Sequence, residues 1–286
     1  MGCPFCEDTG WRPVDSSTGS GQGASVRRVV RCDCWREQVG QQRLADANIP
    51  KRYQHCTLDN FLAYNESLEG AVGRARRLAE AFPAANVGLF LEGQPGVGKT
   101  HLAVAVLKHV IERTGARGLF YDTRDLLRVI RSTYDPSIRT TELEVLRPVM
   151  TADLLVLDDL GAEKTSEWVD ETMNLIVNTR YSERRVTLFT SNYQDIPDDT
   201  DPNALVFRIG ARMRSRLHEM CDFVILDAAD YRERPTNAGK DDLLAMWKLR
   251  SKSSSLPSPR ASGRQARAQL KDNRADLKWP GGRAGS

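Results

Sequence analysis

The chain has 286 residues, more than the roughly 100 to 200 of a usual single domain, so we expect one sizeable core with smaller appendages. Apolar residues make up 40% of the sequence, and no stretch approaches the roughly 18 uninterrupted apolar residues of a membrane-spanning helix, which indicates a soluble protein. The net charge of +3 is unevenly spread, because residues 250–286 hold nine Lys and Arg against two Asp. The basic balance therefore belongs to this end of the chain, and on its own it gives no information about a basic groove in the folded part.

The N-terminal region, residues 1–47, is marked by closely spaced cysteines. They are Cys3, Cys6, Cys32 and Cys34. The sequence begins without the basic and apolar segments of a secretion signal, so we expect the reducing cytoplasm, where cysteines are thiols or metal ligands. The two pairs flank a Ser/Gly-rich stretch, residues 15–25, that is typical of a hairpin tip. They predict one tetrahedral Zn²⁺ site, which a segment this small needs in order to fold. The second pair is C-x-C instead of the usual C-x₂-C, so a redox pair or unliganded thiols stay open as alternatives.

Residues 48–234 alternate apolar runs with helical patterns, which is typical of an α/β domain with a parallel sheet flanked by helices. The predicted strands are residues 87–93, 118–122, 153–160, 186–192 and 222–227. Helices are predicted to begin near Lys99, Thr123, Ser166 and Leu205. Cys56 and Cys221 lie in or beside apolar segments and are expected to be buried structural thiols.

Two shorter segments follow this domain. A short helix is expected within residues 235–251. Residues 252–286 are rich in Ser, Arg, Gly and Pro and poor in large apolar side chains, so a disordered basic tail is predicted there.

The first strand of the main domain runs into a glycine-rich loop. Residues 93–100, GQPGVGKT, fit the pattern G-x-x-x-x-G-K-[ST] in full, between an apolar strand and an amphipathic helix. Glycines let successive backbone N–H groups converge on an anion, and the helix N-terminus adds its positive dipole end. We therefore predict ATP binding, with Lys99 on the β- and γ-phosphates and the Thr100 hydroxyl on Mg²⁺. The predicted phosphate-binding residues are Gly93, Gln94, Pro95, Gly96, Val97, Gly98, Lys99 and Thr100.

Two further strands end in polar side chains that could complete this site. The run LLVL precedes Asp158 and Asp159 and is typical of a strand buried on both faces. Asp158 is predicted to hold Mg²⁺ through water, and Asp159 to orient and deprotonate the attacking water, although many such ATPases carry Glu there. Asn192, at the end of the next strand, is expected to reach the γ-phosphate or that water. Solvated carboxylates and a turn-forming Asn are the structural alternatives.

Several motifs together resemble one family. The stretches GQPGVGKTHLA, LLVLDDLGAE, TLFTSNY, RIGARMRSRL and DYR occur in an order and spacing similar to the AAA+ ATPases of the DnaC/DnaI helicase-loader and IstB transposition-helper group, relatives of the initiator DnaA. The resemblance covers about residues 48–234. His101 directly after the loop and Gly161 after the two aspartates narrow it to this group. A small-molecule kinase is compatible with the loop alone, but the arginines before the last strand and Asn192 argue against it.

The resemblance implies that an arginine from a neighbouring subunit completes the active site, because a fixed cation suits the charge that develops on the transferred phosphoryl group. Four arginines crowd the helix before the last strand: Arg208, Arg212, Arg214 and Arg216. The family pattern favours Arg216 as this arginine finger, with Arg212 as its companion one turn away. A solvated helix face or contact with DNA phosphates is the alternative. The same resemblance places His101 and Arg232 near the nucleotide.

The helix predicted after the second strand carries a candidate DNA surface. Leu126, Leu127 and Ile130 would face the core, which leaves Arg124, Arg128 and Arg131 on other faces with Tyr134 just beyond. Arginines combined with an aromatic ring suit single-stranded DNA through phosphate contact and base stacking. We predict contacts from Arg128, Arg131 and Tyr134, against the alternative of a solvated basic helix face.

Three functions are compatible with these features. The first is an ATP-dependent replication protein that binds a replicative DnaB-type helicase through its N-terminal region and loads it onto single-stranded DNA, as an ATP-dependent homo-oligomer. The second is an IstB-like helper that binds duplex DNA and recruits a transposase. The third is a nucleotide-dependent binding switch with negligible turnover. A similar cysteine-bearing N-terminus occurs in DnaI-like loaders, so the zinc region favours the first.

Overall fold

A computed structural model describes residues 3–7, 9–14, 28–236 and 238–255. Within these residues, seven strands lie in two sheets. A two-stranded antiparallel hairpin contains β1 (Trp11–Val14) and β2 (Arg28–Arg31); the main sheet contains β3 (Gly88–Glu92), β4 (Gly118–Asp122), β5 (Leu154–Asp158), β6 (Val186–Ser191) and β7 (Cys221–Ile225). The main sheet is parallel throughout and has the order β4-β5-β6-β3-β7. The predicted α/β fold with a parallel sheet is therefore confirmed.

In the part of the chain that the structure describes, eight α-helices accompany these strands. They are α1 (Asp33–Ala45), α2 (Glu66–Ala81), α3 (Lys99–Thr114), α4 (Thr123–Ser132), α5 (Glu142–Thr151), α6 (Glu167–Ser182), α7 (Leu205–Met220) and α8 (Lys240–Ser255). The predicted hairpin tip at residues 15–25 lies outside the described residues, as do residues 256–286 of the predicted tail. Residues 252–255, predicted to be disordered, instead form the last turn of α8. Within the described ranges, none of the helices is both long and apolar enough to cross a membrane.

The sheet separates two apolar cores. Leu154 and Val156 of β5 pack with α2 and α3, whereas Leu155 and Leu157 pack with side chains of α4 to α7. Successive side chains of a strand point to opposite faces, so a strand covered on both sides needs apolar residues at every position. The uninterrupted LLVL run follows from this burial. Cys56 and Cys221 are buried among the same side chains, as predicted.

The free edge of β7 is covered by side chains of α2 and of its N-cap residue. Arg74 donates to the Phe223 carbonyl (3.1 Å), and Ser67 donates to the Ile225 carbonyl (2.9 Å). Asn65, the N-cap of α2, donates to the Asp227 carbonyl (2.9 Å) while its side-chain oxygen accepts the Leu68 N–H. An edge strand whose acceptors are already occupied cannot pair readily with another chain.

A buried arginine joins α5, α6 and β6. Arg180 is fully enclosed and donates to the carbonyls of Val149 (3.0 Å), Ala152 (2.9 Å) and Val186 (2.7 Å) and to the Thr187 hydroxyl (2.8 Å). Burial lowers the pKa of this guanidinium to about 9. Its donors satisfy carbonyls at the end of α5 that the helix itself cannot satisfy.

Candidate nucleotide site

The glycine-rich loop connects β3 to α3 as predicted. Its glycines adopt backbone angles that other residues rarely reach, including φ 82° at Gly96 and 102° at Gly98. A Cβ atom at Gly96 would lie 1.7 Å from the Asp230 carboxylate, and one at Gly98 would lie 2.8 Å from the Phe61 ring. The loop therefore needs glycine both for its conformation and for the close approach of these side chains.

Lys99 lies at the first position of α3 with its ammonium group enclosed in the loop. It donates to the carbonyls of Gly93 (2.7 Å) and Gln94 (2.9 Å) and to the Asn192 side-chain oxygen (2.8 Å). Burial lowers its pKa to about 8, against the opposing effect of the nearby Asp158 and Asp159. A buried cation held only by neutral oxygens is well placed to accept an anionic ligand.

Asp158 ends β5 next to the start of α3. Its carboxylate accepts the hydroxyl protons of Thr100 (2.8 Å) and Thr190 (2.6 Å). Burial raises the pKa of Asp158 to about 6, although both hydroxyls favour the charged form. A hydroxyl and a carboxylate side by side are hard oxygen ligands of the kind that Mg²⁺ prefers, so Thr100 and Asp158 fit the predicted magnesium role.

Asp159 follows with a left-handed backbone, φ 59°, and lines the same cleft as the glycine-rich loop. Asn192 donates to one Asp159 oxygen (2.5 Å), and Arg124 donates to the other (3.3 Å). Asn192 thereby links Lys99 to Asp159. Burial raises the pKa of Asp159, and the Arg124 cation opposes that shift. Arg124 was predicted only to lie on a helix face, and its contact with the Asp159 carboxylate was not predicted.

A cleft of about 710 Å³ opens above these groups. Arg232 and His101 both line it, together with a segment within residues 52–64 that was not predicted to lie there. His101 contacts the Asn60 side-chain oxygen (3.0 Å) and meets the Phe61 ring edge-on. An apolar and aromatic wall beside a phosphate-binding loop suits the base of a nucleotide. The segment carries no spacing signature, and only the tertiary fold brings it to the cleft.

The four arginines of α7 lie in different surroundings. The helix is interrupted at Gly210, where φ is 77°. Arg208 donates to the carbonyls of Gly161 (2.7 Å) and Glu163 (3.1 Å), and Arg214 pairs with Asp195 (2.5 Å). Arg212 is exposed and Arg216 is half-buried, and neither lines the cleft of its own chain.

The four N-terminal cysteines come together in space. Their sulfur atoms all lie within 4.8 Å of one another, with 3.7 Å between Cys3 and Cys32 and 3.2 Å between Cys6 and Cys34. Four thiolates at the usual 2.3 Å around a tetrahedral zinc would be separated by about 3.8 Å. The cluster therefore fits Zn²⁺, and the shorter C-x-C spacing does not prevent convergence.

The candidate DNA residues lie at the far end of α4. The Arg131 guanidinium stacks on the Trp168 ring, 4.6 Å from its centre, and Trp168 donates to the Tyr134 hydroxyl (3.1 Å). Arg128 pairs instead with Asp125 of its own helix (2.8 Å). Trp168, at the start of α6, was not predicted for this cluster.

A five-stranded parallel sheet, a glycine-rich loop after β3 and carboxylates at the end of β5, with β3 and β5 on either side of the central strand β6, define a P-loop NTPase fold of the AAA+ class. The chain belongs to the family of IstB-like ATP binding proteins, whose model matches residues 33–244.

Individual relatives agree with this assignment. The replicative helicase loader DnaC of Escherichia coli K12 is 29% identical over 158 residues, which are 54% of this chain and 64% of the relative. A crystal structure of the DnaC helicase loader superposes with a TM-score of 0.55 at 36% identity, over 62% of this chain and 99% of that one. A crystal structure of DnaI superposes with a TM-score of 0.53 at 25% identity, over 63% of this chain and 95% of that one. The resemblance to the DnaC/DnaI and IstB group is confirmed.

Proposed function

We propose that this protein is an ATP-dependent DNA replication protein that loads a replicative helicase onto single-stranded DNA and hydrolyses ATP where two copies meet. One observation carries the proposal. The groups for phosphate and magnesium binding are assembled within one chain, whereas Arg212 and Arg216 stand outside that chain's cleft. Similarity to proteins named as replicative helicase loaders supports the DNA replication role.

The chain's own residues account for the binding steps. Phosphate oxygens would replace the neutral oxygens that now hold the Lys99 ammonium group. Mg²⁺, held through Thr100 and Asp158, would neutralise charge on the β- and γ-phosphates. Asn192 then becomes available to the γ-phosphate, since the lysine it contacts moves to that group. Asp159 orients and deprotonates the attacking water.

The transition state requires a further cation. Charge develops on the transferred phosphoryl group, and a fixed arginine stabilises it more than it stabilises bound ATP. Arg216 of a second copy, with Arg212 beside it, would supply that cation. Assembly on DNA or on the helicase would then switch on turnover.

The cysteine module, which is the described part of residues 1–47, is the proposed contact for the helicase. It exposes large apolar side chains, including Phe5 (74% exposed), Trp11 (45%) and Val29 (56%). Large apolar side chains that a small module leaves exposed support a docking role for it. Zinc would hold this surface in shape.

Single-stranded DNA would contact the cluster of Arg131, Tyr134 and Trp168. The two aromatic rings offer faces on which bases can stack, and Arg131 and Arg128 offer charge to the phosphates. Arg128 would have to exchange its pair with Asp125 for a phosphate.

The alternative function is that of a transposition helper that binds duplex DNA and recruits a transposase. The matched family model, named for IstB-like proteins, favours it. Co-purification with a hexameric helicase or with a transposase separates the two functions. A nucleotide-dependent switch without turnover would bind ATP but show no hydrolysis in any assembly.

Mixing two inactive chains tests the central proposal. Arg216→Ala retains its phosphate-binding loop, and Lys99→Ala retains its arginine, so interfaces between the two kinds of chain should recover part of the ATPase activity. Arg216→Ala alone should bind ATP normally and hydrolyse it at least about 100-fold more slowly. A mixture that co-assembles and shows no recovery would contradict hydrolysis between copies. Arg139→Ala, an exposed arginine elsewhere on the surface, is the matched control and should behave as wild type.

A further inference from the structure

The carboxylate of Asp195 lies outside the cleft and contacts α7, the helix that carries the proposed arginine finger. Asp195 lies three residues after Asn192, and its side chain is only 14% exposed. One of its oxygens pairs with Arg214 (2.5 Å) and the other with His218 (2.9 Å). These two partners are one turn apart on α7, so a single carboxylate binds side chains from successive turns of the same helix face.

The geometry of α7 determines which side chains lie on the helix face opposite Asp195. Each residue of an α-helix advances about 100°, so residues 212 and 216 point about 200° away from residue 214. Arg214 and His218 therefore fix the inner face through Asp195, while Arg212 and Arg216 occupy the outer one. The break at Gly210 separates this half of α7 from the half that Arg208 anchors, so the inner contacts of the second half determine its direction.

The contacts of Asp195 with α7 are themselves connected to the nucleotide site. Glu92, the last residue of β3 before the glycine-rich loop, accepts the Asp195 N–H (2.8 Å) and is buried. The His218 ring stacks on Phe223 (4.2 Å between centres), which in turn stacks on Phe90 of β3 (4.5 Å). The arginine-bearing half of α7 is thus tied to the strand that leads into the phosphate-binding loop.

We propose that Asp195 is a positioning residue for the neighbouring copy's active site: by holding Arg214 and His218 it directs Arg212 and Arg216 toward the nucleotide bound by that copy. This inference rests on the proposed hydrolysis between copies. Asp195 acts through the donated arginine and not on the nucleotide of its own chain.

The test is Asp195→Asn, which keeps the side chain's size and removes its charge. ATP affinity should stay within about twofold of wild type, because no cleft group is altered, while turnover at saturating ATP should fall at least about tenfold. The double variant Arg214→Gln/His218→Gln removes the same pairs from the helix side and should show the same loss. Asp199→Asn, an exposed aspartate in the same loop, is the matched control and should turn over normally.

Mixing two variant chains distinguishes an effect of Asp195 on the neighbouring copy's active site from an effect on the cleft of its own chain. An Asp195→Asn chain keeps an intact nucleotide site, and a Lys99→Ala chain keeps correctly placed arginines on α7. A mixture of the two chains should therefore regain ATPase activity. Failure to regain it, while Arg216→Ala with Lys99→Ala succeeds, would show that Asp195 acts in its own cleft and would overturn the inference. Normal turnover of the double variant would overturn it as well. If the Arg216→Ala mixture also fails, hydrolysis between copies is wrong and this inference falls with it.

Discussion

The cysteine module and the main domain are stabilised in different ways. The main domain buries both faces of its sheet and satisfies even an enclosed cation, Arg180, with internal carbonyls. The module has a two-stranded hairpin, exposes Phe5, Trp11 and Val29, and brings four sulfur atoms together. Apolar burial is sufficient to stabilise the main domain. It is insufficient for the module, because a segment this small cannot offset its loss of conformational entropy by burial alone. The module should therefore depend on a metal, and the main domain should not.

Removal of zinc should have the largest effect. A structural zinc site contributes about 10 kcal/mol or more to folding, so Cys3→Ser/Cys6→Ser should lose the metal and unfold the module while the main domain keeps its melting temperature. Metal analysis should find one zinc per wild-type chain and none in the variant. Cys56→Ala, in the main core, is the converse control, with full zinc content and a less stable main domain. A zinc-free wild-type protein from chelator-free purification would contradict the prediction.

The second prediction concerns the main domain alone. Arg180→Met keeps most of the side-chain volume but leaves several buried carbonyls without a donor, which should lower the free energy of unfolding by about 3 to 5 kcal/mol. Urea denaturation measures this loss, and zinc content should not change. Arg184→Met, a nearby exposed arginine, should be close to neutral. Equal stability of the two variants would mean that the Arg180 contacts contribute little.

Part of this architecture could be predicted from the sequence. The β5 strand and the carboxylates at its end could be predicted because burial on both faces requires a continuous apolar run. The helices α2 and α5 were not predicted, since α2 buries mainly small residues such as Ala71 and Ala75, and α5 contains Pro148. The contact of Arg124 with Asp159 depends on how α4 lies against β5, which no local pattern reveals.

The third prediction separates nucleotide binding from stability. Lys99→Ala should weaken ATP binding at least about 100-fold, because the lysine supplies charge to the phosphates. Neither zinc content nor the module should change. Calorimetric titration with ATP measures the affinity, and Lys108→Ala, on the same helix but outside the cleft, is the control. Unchanged affinity in Lys99→Ala would exclude the assigned phosphate site.

The last and smallest effect is a pH dependence inside the main domain. Burial raises the pKa of Asp158 to about 6, above the roughly 3.9 of an unfolded chain. Between these two values the folded state binds more protons than the unfolded state, so this group's contribution to stability falls as pH rises through that window. At pH 7.5 the ionised carboxylate therefore destabilises the nucleotide-free protein.

Asp158→Asn should remove that cost. The nucleotide-free variant should be more stable than wild type by about 2 kcal/mol at pH 7.5, and the difference should shrink as pH falls from 6 to 4. The same charge should make Mg²⁺-dependent ATP binding of the wild type weaken as pH falls below about 6, because a protonated carboxyl cannot serve the metal. Asp199→Asn, an exposed aspartate, should show neither effect. Denaturation curves and ATP titrations across this pH range measure both. A variant less stable than wild type at pH 7.5 would mean that the hydrogen bonds from Thr100 and Thr190 outweigh the cost of burying the charge.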